Sequence, residues 1–298
     1  MNRAIVTGNF DGIHLGHKQM LSDLKKLAQE HLLQPCLVSF EPHTAIVVRN
    51  AREPFLLTTT QEKADLLEKH FGIELKVIEF NQEFMKKSPI EYLEEVLVGE
   101  FDAKLWLMGF NHTFGEGGQS QSQELLEKAE ELGVQLCTGT PFIQDAQPLS
   151  STLIRDLIRE GKVYEANQYL LSPYLLSGVV EHGDALGRTL GFPTANLKIS
   201  EWKLLPGFGV YHGKTMIQGE KYECAVHIGP RPSLDSQEIR VEAHLIDFEG
   251  DLYDQFIEIE VLSQIRPPIS FDFVEDLKAQ INQDIETIRL KNPKNEPF

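Results

Sequence analysis

The chain has 298 residues, with 28 Lys+Arg against 45 Asp+Glu and a net charge of −17. That length suits about two average domains and excludes a small disulfide-stapled scaffold, while 41% hydrophobic and 24% charged residues exclude wholesale disorder. The acidity is spread evenly, −9 over residues 1–170 and −8 over residues 171–298, so neither half offers a platform for nucleic acid or an anionic membrane. Cys36, Cys137 and Cys224 stand far apart in no metal-binding spacing and read as free thiols of a reducing compartment. The N-terminus has no apolar signal core and no apolar run reaches membrane-spanning length, so the expected location is the cytoplasm.

In chain order, residues 4–6, 36–40, 75–80 and 105–108 have strand character, and residues 20–31, 60–70, 89–98 and 123–132 have helical periodicity. Such alternation predicts a parallel sheet wrapped by helices. Gly72 and Gly133 sit where left-handed helix caps are expected. A further helix is predicted over residues 151–171, ending at Ser172-Pro173, which gives domains of residues 1–172 and 173–298. Beyond it, short alternating segments at 177–181, 209–213, 222–227, 241–247 and 256–262 predict an antiparallel barrel or sandwich, closed by a helix over residues 271–290. There is no internal repeat, so the halves are different domains.

Where the first strand turns into the first helix the chain reads Thr7-Gly8-Asn9-Phe10-Asp11-Gly12-Ile13-His14-Leu15-Gly16-His17. Glycines there let backbone N–H groups approach a ligand, and a helix start favours phosphate through its unpaired amides and dipole. His14 and His17, three apart, can share one helix face and that phosphate. A metal pair is the rival reading, but it needs further ligands that the spacing does not announce.

This HxGH pattern after a first strand resembles the signature of the nucleotidyltransferase superfamily, which transfers a nucleotide from ATP with loss of pyrophosphate. Val38-Ser39-Phe40-Glu41-Pro42-His43 and Met108-Gly109-Phe110-Asn111-His112-Thr113-Phe114-Gly115 are similar to motifs of the adenylyltransferase module of bacterial FAD synthetase. Ser150-Ser151-Thr152-Leu153-Ile154-Arg155 resembles the second signature, a hydroxyl and arginine cluster over the ATP phosphates. The resemblance implies a Rossmann-like α/β domain in which His14, His17 and Arg155 are catalytic. It implies that Gly8, Asn9, Phe10, Asp11, Gly12, Gly16, Ser151 and Thr152 bind ATP, and that His43 and Asn111 bind flavin. Two positions depart from the family: His112 replaces a phenylalanine and Thr44 a proline.

In the second half, residues 183–196 read Gly-Asp-Ala-Leu-Gly-Arg-Thr-Leu-Gly-Phe-Pro-Thr-Ala-Asn. The glycines can lay backbone against phosphate, and Thr194 and Asn196, two apart on an extended segment, present oxygens to one side, which suits Mg2+ shared with phosphates. This stretch, residues 205–211 and Val241-Glu242-Ala243-His244-Leu245 resemble riboflavin kinase. That resemblance implies a barrel in which Glu242 takes the proton of the ribityl hydroxyl and Gly183, Gly187, Arg188 and Gly191 hold ATP. Thr194 and Asn196 would bind the metal and Arg266 the flavin. Pro268, Ser233 and His227 replace the family's glutamate, threonine and asparagine, so a flap that closes differently is expected.

The expectation is a bifunctional enzyme that phosphorylates riboflavin and adenylylates FMN, using ATP and Mg2+ and acting on small molecules alone. The alternatives are an adenylyltransferase whose barrel only holds flavin, and a non-catalytic flavin-binding regulator.

Overall fold

The computed structural model describes residues 1–109, 122–139, 143–144, 147–183, 186–230 and 239–291; at residues 143–144 and 147–148, Leu186 and Arg188 only the backbone is described. Contact density divides the chain into two units, residues 1–53 with 60–150, and residues 54–59 with 151–298. The change of sequence texture at Ser172-Pro173 lies further along the chain than this division.

In the first unit, β1 (Arg3–Thr7) leads to α1 (Leu15–Glu30), β2 (Gln34–Glu41), the short α2 (Thr44–Arg49) and α3 (Thr60–Phe71). Then follow β3 (Glu74–Glu79), α4 (Pro89–Glu91) continuing as a π-helical stretch Tyr92–Val98, β4 (Ala103–Met108), α5 (Gln123–Glu131) and β5 (Gln135–Thr138). The five strands form one parallel sheet in the order β3-β2-β1-β4-β5. Ala4, Ile5 and Val6 are wholly buried because parallel strands are covered on both faces. α1 sets Leu21, Leu24 and Ala28 against the sheet, and α4 begins with a capping box between Ser88 and Glu91. Gly72 and Gly133 hold left-handed backbone, with φ of 63° and 66°, where α3 and α5 end. The strand order reverses direction at β1, and in such sheets ligands gather at the carboxyl ends of the strands beside that point. The unit also pairs β6 (Ile143–Gln144) with β7 (Gln147–Pro148).

The second unit opens with α6 (Ser151–Arg159) and α7 (Val163–Asn167), where the sequence predicts one helix. Gly161 breaks it, with φ of 75°, and a Cβ there would lie 2.9 Å from the Tyr211 hydroxyl. β8 (Tyr174–Glu181), α8 (Leu186–Leu190), β9 (Ala195–Ile199), β10 (Gly209–Ile217), β11 (Glu220–Pro230), β12 (Ile239–Leu245) and β13 (Phe256–Arg266) follow, then α9 (Val274–Lys291). The strands close a barrel in the order β10-β11-β12-β9-β8-β13, resolving the barrel-or-sandwich expectation. Gln218 and Gly219, with φ of 51° and 86°, make the two-residue turn between β10 and β11. α9 begins at Val274 where the sequence predicts residue 271, and packs Ile285 and Ile288 against Ile246. Residues 54–59 lie on this unit: Phe55 and Leu56 N–H groups donate to the Trp202 carbonyl at 3.0 and 2.9 Å.

Candidate active sites

The first site is built on the loop between β1 and α1. Phe10 and Ile13 hold left-handed backbone at φ of 46° and 38°, although both side chains are buried. Backbone of that kind costs about 1–3 kcal/mol per residue and persists where the surroundings over-determine it. His14 caps α1, its Nδ1 accepting the His17 N–H at 3.3 Å; a neutral His14 therefore carries its proton on Nε2. The two imidazoles stack with centroids 3.7 Å apart, and Phe10 covers His17 at 4.6 Å. His17 Nδ1 is buried without a hydrogen-bond partner among the described residues. Burial, helped by His14 and Lys63, holds His17 well below the ordinary histidine range. The site thus sets two stacked imidazoles at a helix start, where the dipole and the terminal amides favour an anion.

Asn9 anchors this loop from two sides. Its Nδ2 donates to Thr44 Oγ1 at 2.8 Å and its Oδ1 accepts the Thr44 N–H at 3.2 Å. Thr44 is where the sequence departs from the family's proline, a residue that could supply neither group. The Asn9 amide expected to bind ATP is consequently engaged within the protein, and its carbonyl accepts from Lys63 Nζ at 2.6 Å. Lys63, missed in the sequence because it reads as one more exposed helix lysine, is 6% exposed and also donates to Ser39 Oγ at 2.9 Å. Burial lowers it to about 8, against the opposing pull of Asp11 and Glu41. Asp11 is buried in the same loop. His43 caps α2, accepting the Ala45 N–H at 3.1 Å. Asn111, with His112, lies outside the described residues.

Ser151, Thr152 and Arg155 stand on α6 in the second unit. There Arg155 Nε donates to the Phe55 carbonyl at 2.8 Å, with the guanidinium 5.4 Å from that ring's centroid.

The second site lies on the barrel's β12–β9 face. Antiparallel register sets Glu242 opposite Asn196, and His227 opposite Glu242, so the three share one face of adjacent strands. Thr194, two residues before Asn196, precedes the strand, and α8 occupies the loop above it. Gly187 is required sterically, since a Cβ there would lie 2.4 Å from the Phe192 carbonyl and 3.2 Å from Thr194 Oγ1, and one on Gly183 would lie 2.3 Å from Asn196 Nδ2 and displace that side chain. Gly191 holds φ of 91°. Asn196 Oδ1 is buried without a partner among the described residues, so an oxygen-ligated cation fits the donor set. The described residues hold no His/Cys/Asp/Glu cluster able to bind a metal alone. His244 Nδ1 donates to the Pro193 carbonyl at 2.8 Å and fixes the loop's end. A cleft of about 70 Å³ with mixed polar and apolar walls opens at Thr194, lined also by Val180, Pro193, Phe248, Asp251 and Tyr253.

Arg266, expected to bind flavin, donates from Nε to both Asp284 oxygens at 3.1 and 3.0 Å, tying α9 to the barrel. Ser233 lies outside the described residues, and Pro268 is exposed in the turn after β13. No described helix is long and apolar enough to cross a membrane, and Cys36, Cys137 and Cys224 are free.

Residues 1–153 match the FAD synthetase family and residues 170–291 the riboflavin kinase family. Bifunctional riboflavin kinase/FMN adenylyltransferases of Listeria monocytogenes and Bacillus subtilis are 33% and 32% identical; the alignments cover 97% and 93% of this chain and 92% and 88% of theirs. A Streptococcus pneumoniae crystal structure described as a macrolide-efflux protein superposes with a TM-score of 0.83 at 30% identity, covering 97% of this chain and 94% of its own. With both family matches in order along one chain, the protein belongs to the bifunctional riboflavin kinase/FMN adenylyltransferase family.

Proposed function

We infer that the protein makes FAD in two ATP-dependent steps, phosphorylating riboflavin to FMN in the barrel unit and adenylylating FMN in the α/β unit. The observation that carries this scheme is that each unit assembles a pair suited to handling phosphate, the His14–His17 stack in the first and the Asn196–Glu242 pair in the second. Functionally, residues 1–172 are assigned to adenylyl transfer and residues 173–298 to the kinase.

In adenylyl transfer a phosphate oxygen of FMN attacks the α-phosphorus of ATP and the bridging oxygen departs with pyrophosphate. No protein nucleophile is needed, so the enzyme's work is orientation and neutralisation of charge. His14 and His17 are the donors to those oxygens, His17 as a neutral imidazole, with the loop around Gly8, Gly12 and Gly16 lying against the phosphates. In the kinase step the ribityl 5′-hydroxyl attacks the γ-phosphorus, ADP leaves, and Glu242 accepts the hydroxyl proton. Thr194 and Asn196 would hold Mg2+, which when bound offsets charge on the transferring phosphoryl group. Gly183, Gly187, Arg188 and Gly191 form the loop over the phosphates, and the cleft beside Thr194 receives the adenine. His43, Asn111 and Arg266 are assigned to flavin, and Ser151, Thr152 and Arg155 to the ATP of adenylyl transfer; Arg155→Ala tests the latter group.

Product chromatography tests the scheme. His14→Ala should abolish FAD formation from FMN and spare FMN formation from riboflavin, and Glu242→Ala should do the reverse. Loss of both products from either folded variant would refute separate sites, and absence of FMN with the unaltered enzyme would leave an adenylyltransferase alone.

A further inference from the structure

We propose that Lys63 is a positioning residue of adenylyl transfer, its buried ammonium locking the phosphate cradle to β2 and supplying a fixed positive charge beneath it. The proposal rests on the assignment of the β1–α1 loop to ATP. Three observations carry it. Lys63 Nζ donates to the Asn9 carbonyl at 2.6 Å and to Ser39 Oγ at 2.9 Å, joining the loop to β2 through a single cation. The side chain comes from α3, within a buried Glu62-Lys63 pair, and an unneeded lysine would not be buried there, since desolvating a charge is costly. Its charge also reaches His17 and contributes to keeping that imidazole neutral.

The titratable and charged groups facing Lys63 are Asp11 in the loop, Glu41 at the end of β2 and His17 on α1, with Glu62 beside it on α3. Asp11 and Glu41 support the ammonium but do not outweigh burial, which brings it to about 8. In a chain of net charge −17 this cation is one of the few local counterweights to a polyanionic substrate. As pH rises through about 8 the ammonium loses its charge and, with it, one of the donors that hold Asn9 and Ser39.

The test uses the full chain, with Lys63→Met and Lys63→Arg, assayed for FAD formation from FMN and ATP and for FMN formation from riboflavin. At pH 7, Lys63→Met should lower kcat/KM for ATP in FAD formation by about tenfold or more while FMN formation stays within about twofold. The unaltered enzyme should lose FAD-forming kcat/KM as pH rises through about 8. That alkaline limb should be absent in Lys63→Met, and Lys63→Arg should carry it to higher pH, because guanidinium does not titrate there. A Lys63→Met enzyme as active as the parent overturns the proposal, as does a loss that leaves the alkaline limb in place, which is the mark of a merely structural lysine. If Lys63→Met does not fold, the limb in the parent and its displacement in Lys63→Arg decide the matter alone. His14→Ala separates the two levels: FAD formation surviving it removes the cradle assignment, whereas a silent Lys63 beside an inactive His14→Ala removes only the lysine's part.

Discussion

Acid should loosen the N-terminal unit through His17 before most carboxylates titrate. His17 is held well below 6.5 by burial first and by His14 and Lys63 next, so on folding it resists a proton that the unfolded chain takes up readily. The unfolded state then binds more protons, and stability is fully present above pH 6.5 and falls as pH drops below it toward the folded-state value. The slope for one such group is at most about 1.4 kcal/mol per pH unit, which sets an upper bound of roughly 2 kcal/mol between pH 7 and pH 5. Trp106, 1% exposed and bonded to Thr7 through Nε1 at 3.2 Å, reports on this unit; Trp202→Phe removes the second of the two tryptophans. Urea unfolding of that variant, with and without His17→Gln, should give stability curves that converge as pH falls, the glutamine enzyme losing less by up to roughly 2 kcal/mol at pH 5. Parallel curves would refute the reading that His17 is enclosed as a neutral imidazole.

Two further outcomes follow from the second unit. Gly187→Ala sets a methyl 2.4 Å from the Phe192 carbonyl, so the loop must move away from Thr194; FMN formation should fall about 100-fold with FAD formation from supplied FMN unchanged, measured by steady-state kinetics. Asp284→Ala leaves the Arg266 guanidinium, whose side chain is 14% exposed, without its carboxylate; calorimetry should show the barrel unit destabilised by about 3 kcal/mol, and Asp284→Asn by less.

The chain's chemistry was legible where local pattern and function coincide. The approach of His14 and His17 could be read from the sequence because spacing along one helix start decides which face they share. Thr194 and Asn196 were legible for the parallel reason on an extended segment. Strands such as β1 and β2 were visible as short apolar runs, whereas β5 and β9 were missed: the first is only half-buried, and the second is merged with its glycine loop. The single predicted helix over residues 151–171 failed at Gly161, which holds a positive φ and where Tyr211 and Gln264 from the barrel leave no room for a Cβ.

What the sequence by itself determined is the division into an α/β half and a barrel half, the residues proposed for two phosphate sites, and an acidity that offers no general attraction to anions. Only the tertiary structure decided which side chains those sites enclose. Lys63 looks like a solvated lysine until α3 carries it under Asn9, the Asn9 side chain looks unengaged until Thr44 meets it, and the Arg266–Asp284 pair exists only because α9 returns to the barrel. Glu242 and Asn196, far apart in the chain, become neighbours through strand register. Burial and pairing arise from segments distant in sequence meeting at one place, and no local pattern carries that information.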